Sequence, residues 1–99
     1  MRFKVHSIHF DADAKLVDFV NEKTEKLDQV FDKIIDGEVF LRLDKADSAN
    51  NKIAEIKLRV PGKEFFAKKQ CKTFEEATDT AVEAMQRQLK KHKGKSRNK

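Results

Sequence analysis

The chain has 99 residues, a net charge of +5 at neutral pH and one cysteine, with 38% hydrophobic and 39% charged residues. A chain of this length can remove only about two-thirds of its unfolded surface from water, so we expect one small domain and exclude a two-domain enzyme with an interdomain cleft. Eight phenylalanines and regularly spaced aliphatic residues exclude a wholly disordered chain.

The sequence contains no signal for export or membrane insertion. Its apolar runs are far shorter than the ~20 residues that cross a bilayer, and residues 1–14 lack the basic start, apolar core and cleavage site of a signal peptide. A single Cys71 cannot form an internal disulfide, so no oxidising compartment is required. We therefore expect a soluble, cytoplasmic protein with no membrane partner.

The first half of the chain predicts a strand, a helix and a second strand. Apolar and polar residues alternate over residues 2–9 and again from Glu38, as in half-buried strands. Between them, aliphatic residues recur at spacings of three, four and seven and predict helix one over residues 14–35. Gly37 is expected to end this helix, because glycine readily adopts the left-handed conformation.

The second half predicts a hairpin followed by a long helix. Residues 54–60 and 64–70 alternate, and the Pro61-Gly62 turn between them predicts strands three and four. Thr73, with Glu76 three positions later, is typical of a helix start.

Helix two is the clearest predicted element, because its apolar residues keep spacings of three and four from Phe74 to Leu89. It should extend to about Lys93 and end at Gly94. We expect residues 1–94 to form the folded domain and residues 95–99 to be a mobile basic tail.

The order β-α-β-β-β-α predicts an α+β fold. Each helix has one apolar stripe and each strand one apolar side, so both helices should pack on one face of a four-stranded sheet, in a layering like that of the double-stranded-RNA-binding domain. Strands two to four should form an antiparallel meander, and helix one should cross from strand one to a parallel neighbour.

Positive charge is concentrated at the C-terminus. Residues 87–99 carry seven basic side chains and no acidic one, whereas residues 73–86 carry four acidic side chains and no basic one. Arg87, Lys90 and Lys91 flank the apolar Leu89 on helix two, so these cations should stand on a helix that is already packed. Such a segregated block favours a polyanion such as RNA, with a solubilising tail as the alternative.

Two other groups of residues, the histidines and the cysteine, give weaker support for a functional site. His6 and His9 should point to opposite faces of strand one, which disfavours a metal site shared with Cys71 or His92. Cys71 has no evident base nearby, so we predict no catalytic residue, metal or cofactor, and a small enzyme of unrecognised type is only an alternative.

Phenylalanines on the outer sheet face suggest a further possibility. Phe40 and Phe66, beside Arg42 and Lys68, could stack single-stranded bases as an RNA-recognition-motif sheet does. That fold needs a helix where Pro61-Gly62 predicts a hairpin, so cross-strand packing of the two rings is the favoured interpretation.

A generic duplex-RNA-binding module is the alternative function. Such a module has the element order α-β-β-β-α and carries lysines at the start of its last helix. Here that start is Thr73-Phe74-Glu75-Glu76, whose carboxylates would repel phosphate.

The whole chain resembles the ribosome hibernation promoting factors and ribosome-associated inhibitors, the sigma-54 modulation proteins. The resemblance is carried by residues 67–79 and by the run Arg87-Gln88-Leu89-Lys90-Lys91-His92-Lys93, with support from helix one. By length the chain resembles the short hibernation-promoting form.

The resemblance implies a function. A member of this family would bind the small ribosomal subunit through 16S rRNA, in the channel that mRNA and tRNA occupy, and would inhibit translation by excluding both; off the ribosome we expect a monomer. The RNA-binding residues carried over by position would be Lys23, Lys26, Arg87, Lys90, Lys91 and Lys93, with Lys68, Lys69 and Lys95 as further candidates.

Overall fold

The computed structural model describes residues 3–46 and 49–97, with the side chains of residues 95–97 outside the description. The elements are β1 (Lys4–Ser7), α1 (Ala14–Val30), β2 (Asp36–Leu43), β3 (Lys52–Val60), β4 (Lys63–Cys71) and α2 (Phe74–Arg97). The predicted order β-α-β-β-β-α is confirmed.

The four strands form one sheet in the order β1-β2-β3-β4. β1 pairs with β2 in parallel, with Val5 opposite Val39, and the other two pairings are antiparallel. Gly62 closes the β3–β4 hairpin at a φ of 81°, a conformation that favours glycine. The meander and the parallel crossover are therefore as predicted, although β1 is shorter than the predicted 2–9.

The core lies between the sheet and the two helices. Alternate residues of the strands point toward the helices, so that Val39 and Leu41 of β2 and Ile56 of β3 have no exposed surface. Leu27 of α1 and Met85 of α2 close the same core from the other side. Each of these large side chains contributes about 1.5–3 kcal/mol by burial, which fixes the helices on the sheet.

The two helices run parallel and side by side. Near their N-termini the rings of Phe10 and Phe74 stack at 4.8 Å between centroids. Farther along, Lys23 Nζ lies 3.4 Å from Asp79 Oδ1. Beyond the end of α1, Phe31 contacts His92 edge to face at 5.6 Å, so the C-terminal ends of both helices lie at the same end of the molecule.

α1 ends at Val30, earlier than the predicted Ile35. Phe31 is extended, with φ −147° and ψ 118°, although its N–H still donates to Leu27 O. The chain then returns to the sheet, where the N–H of Ile35 donates to Arg59 O at 2.7 Å. Hydrogen bonding to the sheet therefore ends the helix early, although the apolar residues up to Ile35 keep helical spacing in the sequence.

Gly37 has a different role from the predicted one. It belongs to β2 rather than to the end of a helix, and it has no positive φ. A Cβ at this position would collide with Cε2 and Cδ2 of Phe3, whose ring is 3% exposed. Glycine is needed here because the Phe3 ring packs directly on the strand.

α2 begins as predicted and ends later than predicted. The backbone N–H of Glu76 donates to Thr73 Oγ1 at 3.0 Å, and the Glu76 carboxylate accepts from the N–H of Lys72 at 3.4 Å. The prediction that Gly94 ends the helix is wrong, because the helix continues to Arg97. The mobility of the tail stays a prediction, and residues 98–99 lie outside the described part of the chain.

Candidate nucleic-acid interface

α2 is divided by charge along its length. Its first three turns carry Glu75, Glu76, Asp79 and Glu83, and its remaining turns carry only basic charged residues. Carboxylates near the N-terminus and cations near the C-terminus both complement the helix dipole. We refer to residues 87–93 as the cationic end of α2.

Buried contacts fix the cationic end in position. Leu89 has no exposed surface and packs in the core. One turn later, His92 contacts Phe31 at 5.6 Å and Phe65 at 5.4 Å, edge to face in both cases. The backbone that carries the cations is therefore ordered before any partner binds, which lowers the entropy cost of binding.

Four predicted cations stand on the cationic end of α2 and face solvent. Arg87, Lys90, Lys91 and Lys93 are all exposed. Within the described residues, none of the four forms an ion pair with a carboxylate. Their charge is consequently available to an external anion.

Two clefts flank the cationic end. The first, which we call the α1-side cleft, has a volume of about 350 Å³ and is lined by Gln29, Val30, Lys90, Lys93 and Gly94. The second, the β4-side cleft, has a volume of about 200 Å³ and is lined by Lys63, Phe65, Gln88, Lys91 and His92. Lysines therefore border both flanks of the helix.

The two candidate lysines of α1 differ from each other. Lys23 is paired with Asp79 and its Nζ lies 5.4 Å from the ring centroid of Phe19. Lys26 is exposed and has no such pair among the described residues. Lys26 lies one helical turn before Val30, which lines the α1-side cleft.

Of the remaining three candidates, Lys68 and Lys69 lie on β4 rather than on α2. Lys68 lies on the outer face of the sheet, opposite Glu55, whereas Lys69 lies opposite the inward-facing Ala54. Adjacent strand residues point to opposite faces, so these two lysines cannot bind one surface together. The side chain of Lys95 lies outside the described residues.

The outer face of the sheet balances much of its charge locally. Arg59 Nε donates to Asp36 Oδ1 at 2.9 Å, and Arg42 lies 2.9 Å from Glu55. The hydrogen bond from Arg59 holds the pKa of Asp36 below its ordinary value. These paired cations offer less to an external phosphate than unpaired ones do.

The phenylalanines of the outer face do not pack on each other as expected. Phe40 stacks on His6 at 4.9 Å between centroids, with an interplanar angle of 16°. His6 Nε2 in turn lies 2.9 Å from Glu38 Oε2. Phe66 pairs in register with Lys57 and is 51% exposed, so the cross-strand ring pair forms between β1 and β2 instead.

The histidine and cysteine candidates are separated in space. His6 lies on β1, His9 follows that strand, Cys71 ends β4 and His92 lies near the end of α2. No group of three or more potential metal ligands occurs among the described residues.

Two residues beside the cationic end, Lys63 and Gln88, were not among the candidates predicted from the sequence. Lys63 borders the β4-side cleft because the β3–β4 hairpin starts beside the end of α2. Gln88 borders it too, and its Nε2 donates to Phe66 O at 3.0 Å. The proximity of Lys63 to Lys91 depends on packing between distant elements, and no local pattern could reveal it.

Comparison with known proteins decides the family. Residues 3–97 match the family described as Sigma 54 modulation protein / S30EA ribosomal protein. The chain belongs to this family. The resemblance seen in the sequence is thereby confirmed. The match to this family, which we call the S30EA family below, covers nearly the whole chain.

Relatives within the S30EA family are named for ribosome hibernation. The chain is 30% identical over 98 residues to a ribosome hibernation promoting factor of Pseudomonas putida, covering 99% of this chain and 92% of that protein. It is 36% identical over 78 residues to a ribosome hibernation promoting factor of Klebsiella oxytoca, covering 79% of this chain and 78% of that protein.

Solved structures support the S30EA fold. A ribosomal subunit interface protein from Coxiella burnetii superposes with a TM-score of 0.84 at 18% identity, covering 95% of this chain and 99% of the other. The N-terminal domain of Protein Y from Thermus thermophilus gives 0.80 at 24% identity, covering 93% and 99%. At these identities the likeness shows the fold.

Within residues 3–46 and 49–97, no helix is both long enough and apolar enough to span a bilayer.

Proposed function

We propose that the protein is a ribosome hibernation factor that binds the small ribosomal subunit through 16S rRNA, in the channel used by mRNA and tRNA. By occupying that channel it inhibits translation through steric exclusion, in the cytoplasm and as a monomer when off the ribosome. The names of its relatives in the S30EA family support an association with ribosomes.

One observation carries the proposal. Four exposed cations, Arg87, Lys90, Lys91 and Lys93, form no ion pair with any described carboxylate and stand on the end of a helix that Leu89 and His92 fix to the core. Folded RNA presents a dense array of phosphates, and cations on an ordered helix can neutralise several of them with little loss of backbone freedom. A role in binding rather than catalysis fits this arrangement.

The first test uses salt. If about six phosphates are neutralised, affinity for small subunits should fall roughly a thousandfold between 50 and 200 mM monovalent salt. Co-sedimentation with purified subunits over this range measures the slope. An affinity that stays constant would contradict a phosphate-dominated interface.

The second test reverses charge at the cationic end. The variant Arg87→Glu, Lys90→Glu, Lys91→Glu should lose at least about a hundredfold in affinity, because roughly three phosphate contacts become repulsive. These side chains are exposed, so circular dichroism should show a folded protein, and the loss of cations that complement the helix dipole should lower the urea midpoint only slightly.

A matched control separates position from net charge. The variant Lys15→Glu, Lys45→Glu, Lys57→Glu makes the same change in charge at three exposed lysines outside the interface. It should retain most of the affinity. Equal losses in both variants would contradict the assigned site.

A third test addresses occlusion and the alternative function. Bound protein should reduce the binding of mRNA and initiator tRNA to small subunits in a filter assay. A gel shift on plain RNA duplex should be weaker than binding to subunits at the same salt. Equal affinity for both would favour a generic duplex-RNA-binding module instead.

A further inference from the structure

The β4-side cleft lies on the flank of α2 that faces away from α1. Lys63, at the start of β4, borders one side, and Lys91 of α2 borders the other. The base is formed by Phe65, which is 6% exposed, and by the edge of His92. Two cations from distant parts of the chain thus flank one concave surface.

The walls of this cleft are fixed by contacts that do not depend on a ligand. His92 is held between Phe65 and Phe31. The hairpin that carries Lys63 is closed by Gly62 at positive φ, and Lys63 Nζ lies 5.1 Å from the ring centroid of Phe65. The backbone that carries each lysine is therefore held by packing and by the hairpin turn.

Charge distinguishes this cleft from another on the same molecule. Among the residues that the structure describes, no carboxylate lines the β4-side cleft. A cleft of about 330 Å³ on the outer face, at the same end of the sheet, is lined by Asp36, Glu38 and Glu64 as well as by two cations, so it would repel phosphate. The β4-side cleft has the composition expected for an anion.

Gln88 adds a hydrogen-bonding group. A carbonyl oxygen can only accept, so the contact with Phe66 O commits Nε2 of Gln88 as donor. Its Oε1 is left as an acceptor. A ribose 2′-hydroxyl can donate to such an acceptor, and DNA lacks that group.

We infer that the β4-side cleft is a second phosphate-binding site, in which Lys63 and Lys91 grip one phosphodiester of RNA while Gln88 accepts from the adjacent ribose. The α1-side cleft, with Lys90 and Lys93, takes phosphates of a separate backbone segment. The end of α2 is then contacted by RNA on both flanks. This inference rests on the proposed function and adds Lys63 and Gln88 to its interface.

The test compares two single substitutions. Lys63→Gln should lower the affinity for small subunits about five- to tenfold near 100 mM salt and reduce the log–log salt slope by about one unit, as expected for one lost phosphate contact. Lys57→Gln, at an exposed position of the neighbouring strand, is the matched control and should change neither quantity. Identical behaviour of the two variants would overturn the inference.

A double-mutant cycle tests whether the two lysines share a phosphate. The double variant Lys63→Gln, Lys91→Gln should lose less affinity for small subunits than the product of the two single fold-losses, because either change alone already weakens the same contact. The double variant Lys63→Gln, Lys90→Gln should lose affinity by the full product of the two single fold-losses, because these lysines contact different phosphates. Multiplicative losses for both pairs would contradict the shared site.

The outcomes separate this inference from the proposed function. A wild-type protein without a steep salt slope would refute the proposed function itself. A steep wild-type slope that Lys63→Gln leaves unchanged would refute the β4-side site alone. Calorimetry with free ATP should show no saturable binding in the micromolar range; saturable binding lost in Lys63→Gln would assign the cleft to a free nucleotide instead of RNA.

Discussion

The outer face of the sheet and the cationic end of α2 both carry several basic side chains, but their surroundings differ. On the sheet, Arg59 is bonded to Asp36 and Arg42 to Glu55. At the end of α2, Arg87, Lys90 and Lys91 have no carboxylate partner among the described residues. The number of cations on a surface is therefore a poor guide to its attraction for phosphate.

The difference has a simple electrostatic origin. A guanidinium beside a carboxylate presents a dipole, whose potential falls off faster than that of a single charge and is screened within about 10 Å at ordinary ionic strength. Unpaired cations crowded on one helix add their potentials. Lys23 lies on the helical side of the molecule, but its charge is balanced by Asp79, as the charges of the sheet arginines are balanced by their carboxylates.

The largest expected effect concerns the packing beneath the cations. Leu89→Ala should lower the free energy of unfolding by about 2–5 kcal/mol, because it leaves a cavity under the end of α2. Urea denaturation measures the change. Arg87→Ala, at an exposed position of the same turn, should shift it by no more than about 0.5 kcal/mol; similar losses for both would mean that the end of α2 is not packed.

A second variant is designed to make the outer face resemble the end of α2. Asp36→Asn with Glu55→Gln removes the charges that balance Arg59 and Arg42, so affinity for plain RNA at low salt should rise about tenfold. Gel shift measures it. Asp11→Asn with Asp18→Asn makes the same change in net charge at exposed carboxylates that pair with no described cation. An equal rise there would show that net charge, not pairing, decides.

The third prediction concerns the backbone that carries the cations. Gly94 lies inside α2 without a positive φ, and a Cβ would meet nothing within 4 Å. Gly94→Ala should therefore raise the free energy of unfolding by about 0.5–1 kcal/mol. A higher urea midpoint would support a helix that continues through residue 94, whereas a lower midpoint would indicate that the helix ends at Gly94, as the sequence predicted.

The smallest effect is a pH dependence that belongs to the sheet. Asp36 has a lowered pKa because it accepts a hydrogen bond from Arg59, and Asp44 because it accepts from the backbone N–H of Ala46. Carboxyls with a depressed native pKa stabilise the fold above their unfolded pKa of about 3.9, and this stability is lost as the pH falls below it.

Urea midpoints at pH 7, 4 and 3 measure this dependence. Asp36→Asn should flatten the decline between the last two values, because the substituted side chain no longer takes up a proton on unfolding. A decline as steep as that of the wild type would show that Arg59 does not stabilise the Asp36 carboxylate.

Much of the fold was predictable because its determinants are local. The two-residue period of the strands, the Pro61-Gly62 turn and the Thr73 cap all act through near neighbours in the chain. The end of α1 was not predictable, because Ile35 has helical spacing but its N–H bonds to Arg59 O on a distant strand. Gly37 was misassigned for the same reason, since its constraint is the Phe3 ring.

In the candidate site, too, the predictable features are local in the chain and the others depend on tertiary packing. The sequence by itself determined the element order and the placement of Arg87, Lys90, Lys91 and Lys93 on one amphipathic helix, because helical period and charge are properties of adjacent residues. Only the tertiary structure decided which cations are balanced, as Lys23 is by Asp79, and which join from elsewhere, as Lys63 does. Electrostatic attraction depends on distance in space, and packing of the core sets those distances.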